Sequence, residues 1–385
     1  MDLHVTEHRQ LTAVQKLAHD WQALHDAAGE ANPFTGPDWA LTWLDHFAGD
    51  PRHEPLVLEV RDGDRLVGIA PLYRRSVLRG LATLVQPIGT GSLWIGPFEQ
   101  PALLTDPTCA RDVARAVVGH LCADPTGWDV AQFALGENVP WFEPEWLPDW
   151  SFTLLQRRTR PSAVLRLEGV DNVYAGRRNL KESLRRARNR LTRDVGADGW
   201  SVRRVTDPAL LPAAFDRLVA LHGERSQLRD GRPVHADIYA DPRVLGYLRD
   251  VVTRAGEHGG ASVYELLVGE TVEASQLVLH TRSASYSSTS GVSERAWPYS
   301  AVTYLLSLAV KDAQEAGHRV LNLSTGPNQA KLRWTDEVRT STEFAVVGPR
   351  RRSKALTLAL DAHAVLAGFA EARRAHRVRL TPGKP

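Results

Sequence analysis

Cysteine is almost absent from this chain: Cys109 and Cys122 are the only two among 385 residues. Two thiols build neither a disulfide framework nor a cysteine-rich metal site. Both fall on or near the apolar face of one predicted helix, a poor place for a covalent nucleophile. Long hydrophobic runs are missing too. Even the mainly apolar Ala301–Val310 stretch is far shorter than the ~18 residues of a membrane span. The N-terminus is charged and has no apolar leader-like segment, so cytoplasmic location is the expectation. An excess of one charge sign is also lacking. Lys and Arg number 47 against 45 Asp and Glu, so any polyanion would have to meet a local basic surface. No His-Glu-x-x-His, Ser-His-Asp order or Gly-x-x-x-x-Gly-Lys-Ser segment is present, and no metal site is expected.

What is present describes a globular α/β protein. Hydrophobic residues make up 43% and charged residues 24%, and the length exceeds one ordinary core. In the first half, apolar spacing predicts a helix over 11–27. A second opens near Asp38, a candidate cap, with Trp39, Trp43 and Phe47 on one face. A hairpin is predicted over 56–61 and 66–73, a third strand over 81–88, a helix over 107–122 and a strand over 129–135. The second half repeats this order. Strand 200–205 and helices 208–225 and 237–255 precede a meander over 261–268, 274–280 and 284–289; helix 299–315 and strand 319–323 follow. The repetition predicts two tandem modules, 1–165 and 200–349. A connecting helix fills 166–199, and a basic helix and tail, 350–385, would cap the second module.

The most informative stretch is Leu321-Asn-Leu-Ser-Thr-Gly-Pro-Asn-Gln-Ala-Lys331-Leu-Arg-Trp334. It reads as a buried strand, a Gly-Pro turn and a lysine on a new element, which would fix one cation at a strand end. Upstream, residues 176–193 hold eight Arg or Lys and a single acid, Glu182. Leu180, Leu184, Ala187 and Leu191 form one apolar stripe, so the segment is an amphipathic helix with a basic face. That face is either solvated or anion-binding, towards coenzyme A phosphates or an RNA backbone.

Together these segments resemble acyltransferases of the GNAT superfamily, in particular the CelD-like group, which is related to the Fem-type aminoacyl-tRNA-dependent transferases. The resemblance rests on the basic helix, Leu221-His-Gly-Glu-Arg225, the meander, Gly291-Val-Ser-Glu-Arg-Ala-Trp-Pro-Tyr-Ser300 and Asn322 to Lys331. Asn32-Pro-Phe34 with Trp39, and Gly68–Tyr73, carry it into the first half. It implies two tandem GNAT-like folds with mixed sheets flanked by helices.

It also implies N-acyl transfer from acyl-coenzyme A to an amine of a small molecule or sugar. Aminoacyl transfer from tRNA, docked on the basic helix, is the alternative, and a non-catalytic binding protein a further one. Lys331 matches the lysine that stabilises charge on the reacting ester in the Fem relatives. His222 and His280 are candidate bases, and Tyr286 and Tyr299 candidate proton donors. The donor would meet Arg295, Tyr299, Ser300 and Ala301, with Arg185 and Arg186 on the basic helix. The acceptor would meet Arg225, Gln276, Asn322, Ser324, Gly326, Gln329 and Trp334. The glycine-rich pyrophosphate loop of the superfamily is replaced here by Arg295-Ala-Trp-Pro298-Tyr-Ser-Ala301, and Pro298 has no N–H to donate. A monomer or homodimer is expected.

Overall fold

The computed structural model describes residues 1–29, 32–89, 101–136, 142–227, 237–359 and 362. The first half contains β1 (Leu3–His8), α1 (Leu11–Lys16), α2 (Ala18–Ala27), α3 (Pro37–Phe47), β2 (His53–Asp62) and β3 (Arg65–Val77). It continues with β4 (Ala82–Pro87), β5 (Leu104–Thr105), α4 (Ala110–Ala123), β6 (Val130–Leu135) and β7 (Thr153–Arg166). The basic helix α5 (Arg178–Val195) leads to β8 (Trp200–Val205), α6 (Leu211–Gln227), α7 (Pro242–Gly256), β9 (Ala261–Val268) and β10 (Thr271–His280). Then come β11 (Ala284–Val292), α8 (Ala301–Glu315), β12 (Val320–Thr325), the short α9 (Gln329–Leu332) and β13 (Val338–Val347).

All strands join one mixed sheet in the order β1-β2-β3-β4-β6-β13-β7-β12-β11-β10-β9-β8, with β5 beside β3. The order is palindromic. Each half is an antiparallel meander ending in one parallel pair, β4 with β6 and β11 with β12. A parallel pair needs a crossover. Helices α4 and α8 supply it, each amphipathic and packed on its half of the sheet.

The expected repetition is therefore present, but the two sheets are one. β7 follows the first half in sequence and pairs with β12 of the second, while β13 pairs with β6 of the first, and the two meet each other antiparallel in the middle. The halves also share a core: Trp21, Trp39 and Trp43 pack with Phe215, Tyr247 and Val251 of α6 and α7.

Local departures have simple causes. The predicted helix over 11–27 divides at Leu17 into α1 and α2. Asp38 does not cap α3; Gly36 is the N-cap and Pro37, with its preset φ, takes the first helical position. The basic C-terminal segment docks on the first half rather than the second. Asp129, fully buried at the start of β6, accepts from Ser353 Oγ at 2.8 Å, Arg352 Nε at 2.8 Å and Thr83 N at 2.9 Å. The helix over 351–359 sits there, with Leu356 packed on Ala82, Leu84, Val130 and Ala345. Most of the predicted helix over 355–377 lies outside the described residues.

Candidate functional site

β11 and β12 pair over only three rungs, Ala284–Val320, Ser285–Leu321 and Tyr286–Asn322. Beyond them β11 follows β10 to Val292, while β12 leans to β7 and ends opposite Ser162. The two arms diverge into a wedge. On the β11 arm the register slips: Gln276 faces Ser290 but Val278 faces Ser287, so Ser288 and Thr289 of β11 oppose Leu277 alone on β10. Such a bulge turns a strand and takes backbone groups out of the ladder.

Two residues expected from the sequence hold this bulge. Gln276 Nε2 donates to Thr289 O at 3.0 Å, and His222 Nδ1 donates to Ser290 O at 3.2 Å. Tyr239, which sequence reasoning missed, hydrogen-bonds Thr289 Oγ1 at 2.6 Å. Gly291 makes the arrangement possible. A Cβ there would lie 2.6 Å from Leu221 Cβ and 2.8 Å from His222 N, so α6 can cross only over glycine. The small-residue run Ser287-Ser-Thr-Ser-Gly291 is the sequence signal for this close approach.

The β12 arm carries Lys331. Asn322 Oδ1 accepts from Ser324 N at 2.8 Å and supports Ser324 in a left-handed conformation with φ of 70°. Gly326, at φ of 72°, turns the chain and donates its N–H to Pro161 O at 2.9 Å. Asn328 caps α9 through Lys331 N at 3.1 Å, and Lys331 Nζ reaches back to Thr325 O at 2.6 Å. The ammonium is thus clamped at the open end of β12. Thr325 and Ser290 lie three and four residues beyond the last rung, roughly 10 Å and roughly 13 Å along their arms.

The expected donor residues gather around the start of α8. Trp297–Tyr299 form one 3-10 turn, and Ser300 stands at the N-cap with φ of 52°. Its side chain makes no capping hydrogen bond to the first-turn N–H groups of α8. Arg190 Nη1 of α5 donates to Pro298 O at 3.1 Å, Arg225 of α6 stacks 3.9 Å above the Trp297 ring, and Arg295 pairs with Glu273 at 3.2 Å. Arg185 and Arg186 stand apart on the exposed face of α5, both bonded to Glu182, whose carboxyl they hold down at about 2. The apolar stripe of α5 is buried as expected, through Leu180, Ala187 and Leu191.

Other candidates lie elsewhere. Tyr286 sits at the vertex of the wedge, but its ring is 1% exposed and edge-on to Phe34 at 4.7 Å. Trp334 is buried beside Tyr174 and packs the core rather than an acceptor. Gln329 is exposed on α9, and Tyr299 is half-buried on the turn before α8. His280 lies at the far end of β10, held by Ser262 at 2.9 Å and Ser285 at 3.0 Å. Burial first, then the neighbouring His318 and Arg204, push its imidazole down to about 3, so it serves poorly as a base. Both cysteines are buried, and burial pushes the Cys122 thiol up to about 12.

Residues 178–332 match the family described as acetyltransferase (GNAT) domain. The wedge, the bulge, α5, α8 and Lys331 all fall inside that match, and this part of the chain carries a GNAT-type acetyltransferase domain. Among solved structures the chain is similar to FemX, at 13% identity and a TM-score of 0.59, with 90% of this chain and 97% of that one covered. It is also similar to the C-terminal domain of a putative lysylphosphatidylglycerol synthetase from Agrobacterium fabrum, at 14% identity, a TM-score of 0.52 and coverages of 92% and 97%. A conserved protein of unknown function from Bacteroides thetaiotaomicron VPI-5482 follows at 12% identity and a TM-score of 0.50, covering 89% and 100%. At these identities the likeness is one of fold. No curated protein matches the chain in sequence.

Proposed function

We propose that the protein is an N-acyltransferase that moves an acyl group, acetyl or another, from acyl-coenzyme A to an amine of a small-molecule or sugar acceptor, as in the CelD-like group. The observation that carries this reading is the wedge, with a bulged arm fixed by His222 and Gln276 and a second arm ending in a clamped lysine. The start of α8 fits an anionic donor. Ser300 makes no capping hydrogen bond to its first-turn N–H groups, and Arg190, Arg225 and Arg295 surround the approach. Pro298 removes one donor from that approach, and the guanidinium groups compensate in charge. The donor supplies an activated acyl carbon; the chain's own residues orient it and handle charge and protons. We assign His222, buried beside the bulge, as the group that takes the proton an amine loses on attack. Lys331, with its charge fixed at the end of β12, stabilises negative charge developing on the acyl oxygen. Asn322, Ser324 and Gly326 shape the acceptor side.

A second reading is Fem-like transfer of an aminoacyl group from tRNA. The basic face of α5 and the fold shared with FemX favour it. The purified protein, incubated with acyl-coenzyme A and a panel of amines, should release thiol and yield acylated amine by mass spectrometry. Transfer from aminoacyl-tRNA alone would select the second reading. Inertness towards both donors would leave a binding protein.

A further inference from the structure

We infer that one end of the molecule is a docking face for an anionic lipid bilayer. β3 ends and β4 begins at the Leu78–Leu81 turn, where Leu78 and Arg79 are consecutive non-glycine residues with φ of 52° and 58°. That strained turn holds Leu78 and Leu81 outward, 59% and 75% exposed. Strand registers bring β6, the end of β13 and the start of β7 to this same end of the sheet. Just before β7 stands Trp150, 93% exposed. Between the two lies the helix over 351–359. Its Leu356 is buried against Ala82 and Val130, with Val77 and Leu155 at the margins, and its Leu358 is 72% exposed.

Exposed base stands on the same turn and helix as the apolar tips. Arg79, Arg351 and Lys354 are exposed, while Asp149, beside Trp150, is turned back onto Ser151 N at 2.7 Å and Asp129 is buried under Arg352. Protruding leucines, an interfacial tryptophan and a basic amphipathic helix suit a headgroup layer, which takes apolar tips into its acyl boundary and cations onto its phosphates. A protein partner would meet separated projections rather than a groove. Among the described residues no helix is long and apolar enough to cross a membrane, so the attachment is peripheral. β12 runs antiparallel to β7 and parallel to β11, so the wedge opens towards the same end of the sheet.

Co-sedimentation of the full chain with vesicles tests this. It should pellet with phosphatidylcholine vesicles containing phosphatidylglycerol, hardly with phosphatidylcholine alone, and less as salt rises. Leu81→Ser with Trp150→Ala, both at exposed sites and checked by thermal melting, should lower the bound fraction several-fold, as should Arg351→Gln with Lys354→Gln. Absence of binding, or binding that survives both pairs of substitutions, overturns the inference. So does light scattering that shows a dimer dissolved by the Leu81 and Trp150 substitutions, because the face would then join two copies of the chain.

Discussion

Single residues carry the chemistry proposed here, and Lys331 and His280 show opposite uses of environment. The Lys331 ammonium is held by Thr325 O at 2.6 Å, which fixes its position. A charge that acts only as the acyl oxygen becomes negative strengthens in the transition state alone. Lys331→Ala should therefore lower turnover about 100-fold and leave apparent donor affinity within a few-fold, measured by steady-state kinetics. Weakened donor affinity with turnover intact would make Lys331 a phosphate ligand; full activity on both measures would remove it from the site. His280 is instead half-buried, and desolvation pushes its imidazole down to about 3. An unfolded histidine titrates near ~6.5, so below that value the unfolded chain binds the extra proton and stability falls with pH. The melting temperature should drop as pH is lowered from about 6.5 to about 4, and His280→Gln should flatten the slope. An unchanged slope would show that His280 accepts its proton in the folded state.

Elements decide how those residues meet, and here the sequence was legible unevenly. The meanders, α4, α5 and α8 follow from period and composition, and the α5 stripe is buried where its spacing places it. β7 was not legible. It carries Arg157, Arg158, Arg160 and Pro161 mid-strand, a composition that reads as loop, yet it lies in the middle of the sheet. It is tolerated because β12 ends there in the Gly326 turn, and because Arg160 pairs with buried Glu343 of β13. His222 and Gln276 were legible as polar residues, but the bulge that unites them depends on register between distant strands, which no local pattern encodes. The basic face of α5 allows a direct test. Replacing Arg185, Arg186 and Arg190 by glutamine should weaken donor binding and flatten its dependence on salt. Arg190 should dominate, because it alone of the three reaches the α8 approach. Unchanged affinity at low and high salt would leave α5 a solvated helix.

The whole molecule is a pair of repeated halves that cannot be cleanly separated. Repeated element order made the repetition visible in sequence; the exchange of β7 and β13 was not, since both follow their parallel pairs at the same place in each half. Two-module boundaries drawn from sequence cut through this exchange. The shared core of Trp39 with Tyr247, and the Arg254–Asp45 pair at 2.9 Å, add to the coupling. Scanning calorimetry should therefore show one cooperative transition, with calorimetric and van't Hoff enthalpies in agreement. Two resolved transitions would mean that the halves fold as separate units.

The central claim, that the wedge between β11 and β12 takes its acyl group from coenzyme A, is most directly tested by titrating the protein with acetyl-coenzyme A and longer acyl-coenzyme A esters while following its melting temperature. Ligand that binds only the folded state stabilises it by about 2.7 kcal/mol at a hundredfold excess over Kd. Saturable stabilisation by at least one acyl-coenzyme A, reduced in the Arg185, Arg186 and Arg190 variant, is the predicted result. No shift with any acyl-coenzyme A, alongside a clear shift with aminoacyl-tRNA, would contradict it.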